Sequence, residues 1–206
     1  NKGFLLPSQL QVCWLKILSI IIPAYNEEKR IPETLNRILQ YLKERKIDNE
    51  IIVVVDKSKD KTLEIIQKYS KNFKNIRYIY NPKKCGKGYA IKKGILSSKG
   101  NIVLFADADT STPIAELDKF LQKIKESDIV IGSREHKDSN VRKTLISRVI
   151  LGNLGNLLLR LFLIKKIRDT QCGFKLFKGN IARELFSLSR INGFGFDFEI
   201  IFLAQK

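Results

Sequence analysis

The chain has 206 residues, which is enough for one sizeable α/β domain and too few for two. Three cysteines, an odd number, exclude a disulfide-stapled scaffold and indicate a reducing compartment, and the single histidine, His136, excludes His-rich zinc sites. The net charge of +17 indicates an anionic partner (nucleic acid, an acidic membrane face or a phosphorylated substrate), although solvated lysine-rich helix faces would give the same excess.

Alternating apolar segments predict the fold. Apolar residues have helical spacing at 31–42 and at 114–124, where Pro32 and Pro113 sit at positions that a first helical turn tolerates. Such segments separate short β-branched runs. The predicted strands are Ile17–Ile22, Ile51–Val55, Ile76–Tyr80, Ile102–Phe105 and Ile129–Ile131. This order predicts an α/β fold with a doubly wound, mainly parallel sheet and helices on both faces. Ligands of such sheets bind at the carboxyl ends of the strands, so we expect the site in the loops there.

Polar turns follow the first two predicted strands, at residues 23–28 and 56–60. Tyr25 can pack against a base or ribose, and Asp56 can accept hydrogen bonds from a nucleobase; the alternative is a pair of loops with helix-capping acids. The glycines on either side of Lys87 lead into a helix whose N–H groups can face a diphosphate. That short pattern is also compatible with an ordinary helix start.

Two carboxylates one residue apart, Asp107 and Asp109, follow the fourth predicted strand. In an extended segment, residues i and i+2 point to the same side, so both acids can converge on one object. A cation offsets the repulsion between them, and oxygen ligands suit Mg²⁺ or Mn²⁺. The alternative is that both acids form a turn and cap the helix after Pro113.

Residues 141–167 are rich in Leu and Ile and are bracketed by basic residues. Their longest charge-free run, Val149–Leu159, has 11 residues, whereas a bilayer-spanning helix needs roughly 20. Two interpretations remain: a buried core helix, or an in-plane helix on a membrane with Arg148 and Arg160 at the headgroups.

The ends of the chain indicate a piece of a longer protein. The sequence has no Met, even at residue 1, and it stops within an apolar pattern at 196–206 that predicts an unfinished helix. We therefore expect that a terminal targeting signal or membrane anchor can lie outside these residues. The absence of repeats and low-complexity linkers predicts one domain, 1–206, with an N-terminal extension at 1–16.

Seven segments, taken in this order, resemble the family 2 glycosyltransferases with the GT-A fold. They are SIIIPAYNEEKRIPETL, EIIVVVDKSKDKT, GKGYAIKKGI, LFADAD, IGSREH, RDTQCGFKLF and FGFDFEIIFLAQ. Within that family the chain is most similar to the dolichyl-phosphate glucosyltransferases, over residues 18–205. The most specific parts are Arg168–Phe177 and Phe196–Glu199.

The resemblance implies an inverting, metal-dependent transfer of glucose from UDP-glucose to the phosphate of dolichol or a related polyprenol. The reaction would take place at the cytosolic face of a membrane, the endoplasmic reticulum in a eukaryote or the plasma membrane in a prokaryote. The residues that would hold the nucleotide sugar are Pro23, Tyr25, Glu27, Asp56, Lys87 and Asp107. Asp107 and Asp109 would bind Mg²⁺ or Mn²⁺.

The resemblance also implies an acceptor side. The residues that would bind the acceptor phosphate are Arg134, Arg148 or Arg142, Asp169, Gln171 and Lys175. Asp197 would lie beside them, and the catalytic residues would be Asp107, Asp109, Arg134 and Asp197. A phosphomonoester has a second pKa near 6, so it is already nucleophilic at neutral pH and needs positioning by arginines more than deprotonation.

Departures from the family pattern concern the donor. Val55 stands where the first of two acids is usual, and Lys57 where glycine often supplies a positive φ, so we expect a rebuilt turn. Lys84 and Cys85 replace the usual Asn and Arg. UDP-N-acetylglucosamine and GDP-mannose therefore remain alternative donors.

Two other classes of protein are alternatives to a sugar transferase. A nucleic-acid-binding module would use the positive charge. It would need a basic stripe interleaved with aromatic residues, or a recognisable motif for reading nucleic acid. Neither is evident, so no nucleic-acid partner is expected. A nucleotidyltransferase would also combine a βα sheet with metal-binding acids, and the segment 168–177 argues against it by resemblance.

Overall fold

The computed structural model describes residues 17–109, 111–133 and 172–206. The predicted N-terminal extension at 1–16 and the predicted membrane-interface helix at 141–167 lie outside them.

One mixed sheet forms the centre of this part of the chain. Its strands are β1 Leu18–Ala24, β2 Asn49–Asp56, β3 Ile76–Asn81, β4 Ile102–Ala106, β5 Ile129–Ile131 and β6 Phe174–Lys178, in the order β3-β2-β1-β4-β6-β5. Strands β1 to β4 are parallel to one another, whereas β6 runs antiparallel to both of its neighbours. The predicted α/β fold with a mainly parallel sheet is confirmed. Strand β6 was not among the predicted strands, and it separates β5 from β4.

Helices cover both faces of the sheet. They are α1 Ile31–Arg45, α2 Thr62–Asn72, α3 Lys87–Leu96, α4 Leu117–Lys123, α5 Gly179–Leu188 and α6 Phe196–Ala204. Helices α1, α2 and α4 pack on one face, and α3, α5 and α6 pack on the other. The helical spacing that begins at Ile114 is realised first as a 3₁₀ turn, Ile114–Glu116, and then as α4. The helix predicted within 196–206 is present as α6.

Each central strand is buried on both sides because its residues point alternately to the two cores. In β1, Ile20 and Ile22 belong to the core under α1, while Ile21 belongs to the core under α3, and all three are fully buried. This double burial is why these strands have continuous apolar sequences. It also fixes the register of the sheet and places the ends of β1, β2 and β4 at one edge.

No helix within 17–109, 111–133 and 172–206 is long and apolar enough to cross a membrane.

Candidate functional site

The loops after β1 and β2 are joined by hydrogen bonds. Asn26, in the left-handed region with φ of 56°, accepts a bond from Lys59 N at 2.8 Å through its side-chain oxygen. Its own N–H donates to Ser58 Oγ at 3.1 Å, and Glu27 N donates to Thr62 Oγ1 at 2.7 Å. The two polar turns predicted at this edge therefore form one connected unit.

Lys57 is accommodated in this unit without a positive φ. Among the described residues other than glycine, positive φ values occur only at Asn26 and Lys46. The turn is closed by Ser58, whose hydroxyl donates to Asp56 O at 2.9 Å. The left-handed residue of this pair of loops is thus Asn26, and the glycine usual at position 57 is not required here.

Asp56 is buried and hydrogen-bonded within the chain. It is 4% exposed, and its Oδ1 accepts a bond from Asn81 Nδ2 at 2.7 Å. Its Oδ2 accepts bonds from Cys85 N at 2.9 Å and Gly86 N at 3.0 Å. The carboxylate thus fixes the loop that precedes α3, and both of its oxygens already have partners.

Lys87 and Asp107, predicted to face a diphosphate and a metal, lie together. Lys87 is the first residue of α3, and its Nζ is 2.6 Å from Asp107 Oδ1. Both side chains are partly exposed. On the other side, Asp107 N donates to Gly173 O at 3.1 Å, and a Cβ at Gly173 would lie 1.8 Å from Asp107 Oδ2. Only glycine therefore leaves room for this carboxylate.

Asp109 and Glu27 add two further carboxylates. Asp109 Oδ1 accepts bonds from the backbone N–H of Ser111, at 3.0 Å, and from its hydroxyl. Glu27 holds Arg30 through two bonds of 2.6 and 2.8 Å. Burial raises the pKa of Glu27; Arg30 opposes this, and the charges of Asp109 and Asp107 reinforce it. Asp107 and Asp109 are therefore close enough to Glu27 for their charges to act on it.

The donor chemistry of this edge fits a magnesium or manganese ion. Asp107 and Asp109 offer carboxylate oxygens, the ligands that hard divalent cations prefer. Within the described ranges, no group of three or more His, Cys, Asp or Glu side chains is arranged to hold a metal. Mg²⁺ is commonly held by one or two carboxylates, with phosphate oxygens and water completing its shell, so two acids suffice.

Lys175 and Asp197, predicted on the acceptor side, are paired with each other. Lys175 is 1% exposed, and its Nζ donates to Cys172 O at 2.6 Å and to the Asp197 carboxylate. Burial raises the pKa of Asp197; the charges of Lys175 and Lys87 oppose that shift. This pairing could not be predicted from the sequence, because the partners are on different elements and 22 positions apart.

A cavity of about 260 Å³ opens beside Asp107, between α1 and the 3₁₀ turn. Its wall includes Thr34, Tyr41, Pro113, Ile114 and Phe174. The Thr34 hydroxyl donates to Ala108 O at 2.7 Å, so α1 supports the backbone between the two aspartates. Thr34 was not a predicted site residue; its place on the buried face of α1, next to Leu35, is the signal that could have found it.

The structure brings most of the predicted residues to this one edge. Around the carboxyl ends of β1, β2 and β4, the beginning of the antiparallel β6 and the starts of α3 and α6 lie Pro23, Tyr25, Glu27, Asp56, Lys87, Asp107, Asp109, Lys175 and Asp197. The Tyr25 ring lies 4.2 Å from Lys84 Nζ. The other predicted residues, Arg134, Arg142, Arg148, Asp169 and Gln171, lie outside the described residues.

The fold is that of the GT-A glycosyltransferases. Glucosyl-3-phosphoglycerate synthase from Mycobacterium tuberculosis, solved with UDP, matches with a TM-score of 0.63 and 22% identity, over 89% of this chain and 63% of that one. A mannosyltransferase from Pyrobaculum calidifontis, solved with GDP-Man and Mn²⁺, matches with a TM-score of 0.57 and 19% identity, over 82% and 46%. These likenesses concern the fold.

The chain belongs to glycosyl transferase family 2, whose model matches residues 19–186. Similar proteins include dolichyl-phosphate beta-glucosyltransferases of Trichomonas vaginalis (39% identical, over 92% of this chain and 62% of that protein) and of Drosophila melanogaster (38%, 92% and 63%). The human protein of that name is 36% identical over 92% and 63%. The predicted resemblance to this family is confirmed. The chain spans under two thirds of the length of these relatives.

Proposed function

We propose that this chain is the donor-binding and catalytic part of an enzyme that transfers glucose from UDP-glucose to the phosphate of dolichol or a related polyprenol. The observation that carries the proposal is the 36–39% identity to dolichyl-phosphate beta-glucosyltransferases over 92% of the chain. The clustering of charged side chains at the edge where GT-A folds bind their ligands supports it.

On the donor side, Asp107 and Asp109 would hold the metal ion, and Lys87 would bind the diphosphate. A divalent cation bound there would stabilise the charge that develops on the departing nucleoside diphosphate. Lys87 is suited to this role because it begins α3, where the helix dipole also favours an anion. Its ammonium nitrogen lies 2.6 Å from Asp107 Oδ1.

The nucleoside would lie against the joined loops after β1 and β2, with Pro23, Tyr25, Glu27 and Asp56 as its neighbours. Tyr25 offers an aromatic ring that is only half-buried. Asp56 would contribute by holding the Cys85–Gly86 backbone in place, because both of its oxygens are bonded within the chain.

On the acceptor side, a phosphate oxygen of the lipid would attack the anomeric carbon of the sugar. The bond from that carbon to the diphosphate would break, the nucleoside diphosphate would leave with the electron pair, and the configuration would invert. Arg134 and Arg148 or Arg142, with Asp169 and Gln171, would orient the acceptor phosphate. No base is required, because the phosphate is largely dianionic at neutral pH.

Lys175 and Asp197 would support this reaction indirectly, by stabilising the structure next to the site. Their charges are directed at each other, and Asp197 is 4% exposed, so contact with a substrate would require the pair to open. We assign them to holding the start of α6 beside Asp107. The reaction would take place at a membrane, on its cytosolic face, because the acceptor is a membrane lipid.

The test is transfer itself. The full-length protein that contains this chain is incubated with labelled UDP-glucose, dolichyl phosphate and Mg²⁺ or Mn²⁺, and label is measured in the organic phase. UDP-N-acetylglucosamine and GDP-mannose are assayed in parallel. We expect transfer from UDP-glucose, and Asp107→Asn and Asp109→Asn should each abolish it. Asp128→Asn, an exposed residue paired with Lys178, is the matched control and should retain activity. Absence of transfer from all three donors would overturn the proposal.

A further inference from the structure

The connection between α5 and α6 carries large apolar side chains in solvent. Leu188 is 58% exposed, Ile191 45% and Phe194 74%, which is the highest exposure of any large apolar residue in the described ranges. Three such residues within seven positions concentrate exposed apolar surface in one short segment, which we call the apolar patch. We call residues 188–194, which begin at the last residue of α5, the α5–α6 loop.

The α5–α6 loop is held in place by hydrogen bonds. The Glu199 carboxylate accepts bonds from Arg190 N at 2.8 Å and Ile191 N at 2.9 Å. On the other side, Tyr89 N donates to Asn192 O at 3.1 Å. The apolar side chains therefore project from an anchored backbone, and their exposure does not come from a frayed end.

The α5–α6 loop lies directly on the start of α3, beside the candidate site. A Cβ at Gly86 would lie 2.5 Å from Asn192 O, and a Cβ at Gly88 would lie 2.5 Å from Ile191 O. These glycines flank Lys87, so the apolar patch borders the entrance to the charged cluster.

The sequence segments that form the loop and the start of α3 are rich in cations, and the carboxylate of Glu199, at the loop, accepts bonds from the loop backbone. Residues 81–93 contain five lysines and no Asp or Glu, and residues 185–196 contain Arg190 and no Asp or Glu. Lys92 ties the two segments together, because its Nζ donates to Ser189 O at 2.6 Å. Apolar side chains surrounded by Lys and Arg are suited to the interface of an anionic bilayer, where the rings and alkyl groups insert and the cations meet lipid phosphates.

We propose that the α5–α6 loop is a membrane-docking surface, with Phe194 and Ile191 inserted between the headgroups of an anionic bilayer and Lys83, Lys84 and Arg190 in contact with lipid phosphates. This deepens the function proposed above and rests on it in one respect: docking there would bring Lys87 and Asp107 to the surface where a lipid-phosphate acceptor lies. Binding of the loop to a bilayer is testable independently of transfer.

The experiment measures binding of the full chain to phosphatidylcholine vesicles with and without phosphatidylserine. We expect binding to require the anionic lipid, to weaken with salt, and to fall about tenfold for Phe194→Glu. Leu96→Glu is the matched control: Leu96 is 43% exposed at the opposite end of α3, and its replacement should leave binding within about twofold of the original. Circular dichroism checks that both variants are folded.

Two further measurements separate docking from other roles of the loop. Phe194→Trp should give fluorescence that brominated lipids quench, above the background from Trp14. Transfer to a short, detergent-soluble polyprenyl phosphate should be the same for Phe194→Glu as for the unmodified protein.

Unchanged vesicle binding by Phe194→Glu, or an equal loss with Leu96→Glu, would overturn the proposal. A loss of transfer to the soluble acceptor with unchanged vesicle binding would also overturn it, because Phe194 would then contact the acceptor. Vesicle binding that depends on Phe194 in a protein without transferase activity would support docking and overturn the proposed function instead.

Discussion

Lys175 and Asp197 form an ion pair that is almost entirely removed from solvent, with side chains 1% and 5% exposed. The Lys175 ammonium also donates to Cys172 O and lies 4.9 Å from the centre of the Phe105 ring. Because Lys175 is in β6 and Asp197 in the first turn of α6, the pair ties the helix to the sheet. It does so next to Asp107, whose charge acts on Asp197.

Removal of one partner should therefore destabilise the fold strongly. Lys175→Met leaves a buried carboxylate without its cation, and we expect a loss of about 3–5 kcal/mol in the free energy of unfolding. For a domain of this size the melting temperature should fall by roughly 10 °C. Thermal unfolding followed by circular dichroism measures this.

The controls for this prediction are a double variant and a surface pair. Lys175→Met with Asp197→Leu replaces both charges by apolar groups and should recover part of the lost stability. Lys178→Met breaks the exposed pair with Asp128 and should cost less than about 1 kcal/mol. Equal losses for Lys175→Met and Lys178→Met would contradict the burial argument.

Substitution of Asp56 tests which of two roles its carboxylate has. If it mainly holds the loop before α3, Asp56→Ala should leave the N–H groups of Cys85 and Gly86 without an acceptor and cost about 1–3 kcal/mol in the free energy of unfolding. Affinity for UDP should fall together with stability. If its main role is to contact the nucleobase, base preference should change while the melting temperature stays nearly constant. Thermal unfolding measures the change in stability, and titrations with UDP and GDP measure affinity and base preference. Together they distinguish the two outcomes.

The strands buried on both faces were predictable because their apolar runs are continuous and β-branched, as in Ile51–Val55. Strand β6 was missed because lysines interrupt its apolar residues, and Lys175 is nevertheless buried through its bond to Asp197. A residue pattern indicates burial only where the buried side chains are apolar. A charged residue enters the core when a distant partner neutralises it, and the sequence does not identify that partner.

The site was predictable to the extent that topology determines it. Lys87 and Asp107 were expected at the same edge because both follow parallel strands, and the structure places them 2.6 Å apart. The close fit of Gly173 against Asp107 was not predictable. It arises from the pairing of β6 with β4, which brings together residues 66 positions apart only after the sheet has formed.

The close fit of Gly173 against the Asp107 carboxylate predicts how a substitution at position 173 changes catalysis. A methyl group at position 173 would lie 1.8 Å from Asp107 Oδ2, so Gly173→Ala must displace the carboxylate. A misplacement of about 1 Å can reduce turnover by about 100-fold, and we expect a loss of that order in the rate of sugar transfer. Gly193→Ala, where a Cβ would meet nothing within 4 Å, is the control and should keep its activity. Full activity of Gly173→Ala would remove Asp107 from the mechanism.

Lys87 should compete with a metal ion for Asp107 when no nucleotide is bound. Its ammonium lies 2.6 Å from Asp107 Oδ1, so Lys87→Gln should raise the affinity of the nucleotide-free protein for Mn²⁺ by about fivefold, or on the order of 1 kcal/mol. The same variant should bind UDP more weakly, because it lacks the cation that we propose faces the diphosphate. Electron paramagnetic resonance measures free Mn²⁺, and calorimetry measures UDP binding. Lys84→Gln removes an equal charge from the loop just before α3 and serves as the control. Weaker Mn²⁺ binding by Lys87→Gln would be the contrary result.

The contact between Arg45 and Asp118 predicts how the stability of the fold depends on pH. Hydrogen bonds from Arg45, the shortest at 2.6 Å, lower the pKa of Asp118, and the Tyr41 hydroxyl contributes at 2.7 Å. A carboxyl whose pKa is lower in the folded state stabilises the fold above its ordinary pKa of about 3.9, and this stabilisation is lost as the pH falls further. The melting temperature should therefore decrease below about pH 4.

Asp118→Asn should lower the melting temperature at neutral pH and make its decline in acid less steep. The effect should stay below about 1 kcal/mol, because Arg45 and Asp118 are 39% and 42% exposed and solvent screens their attraction. Glu126→Gln removes one exposed acid on the turn after α4 and controls for the change in net charge. If the melting temperatures of the two variants fall in parallel between neutral pH and about pH 3, the Arg45–Asp118 contact does not contribute to acid sensitivity.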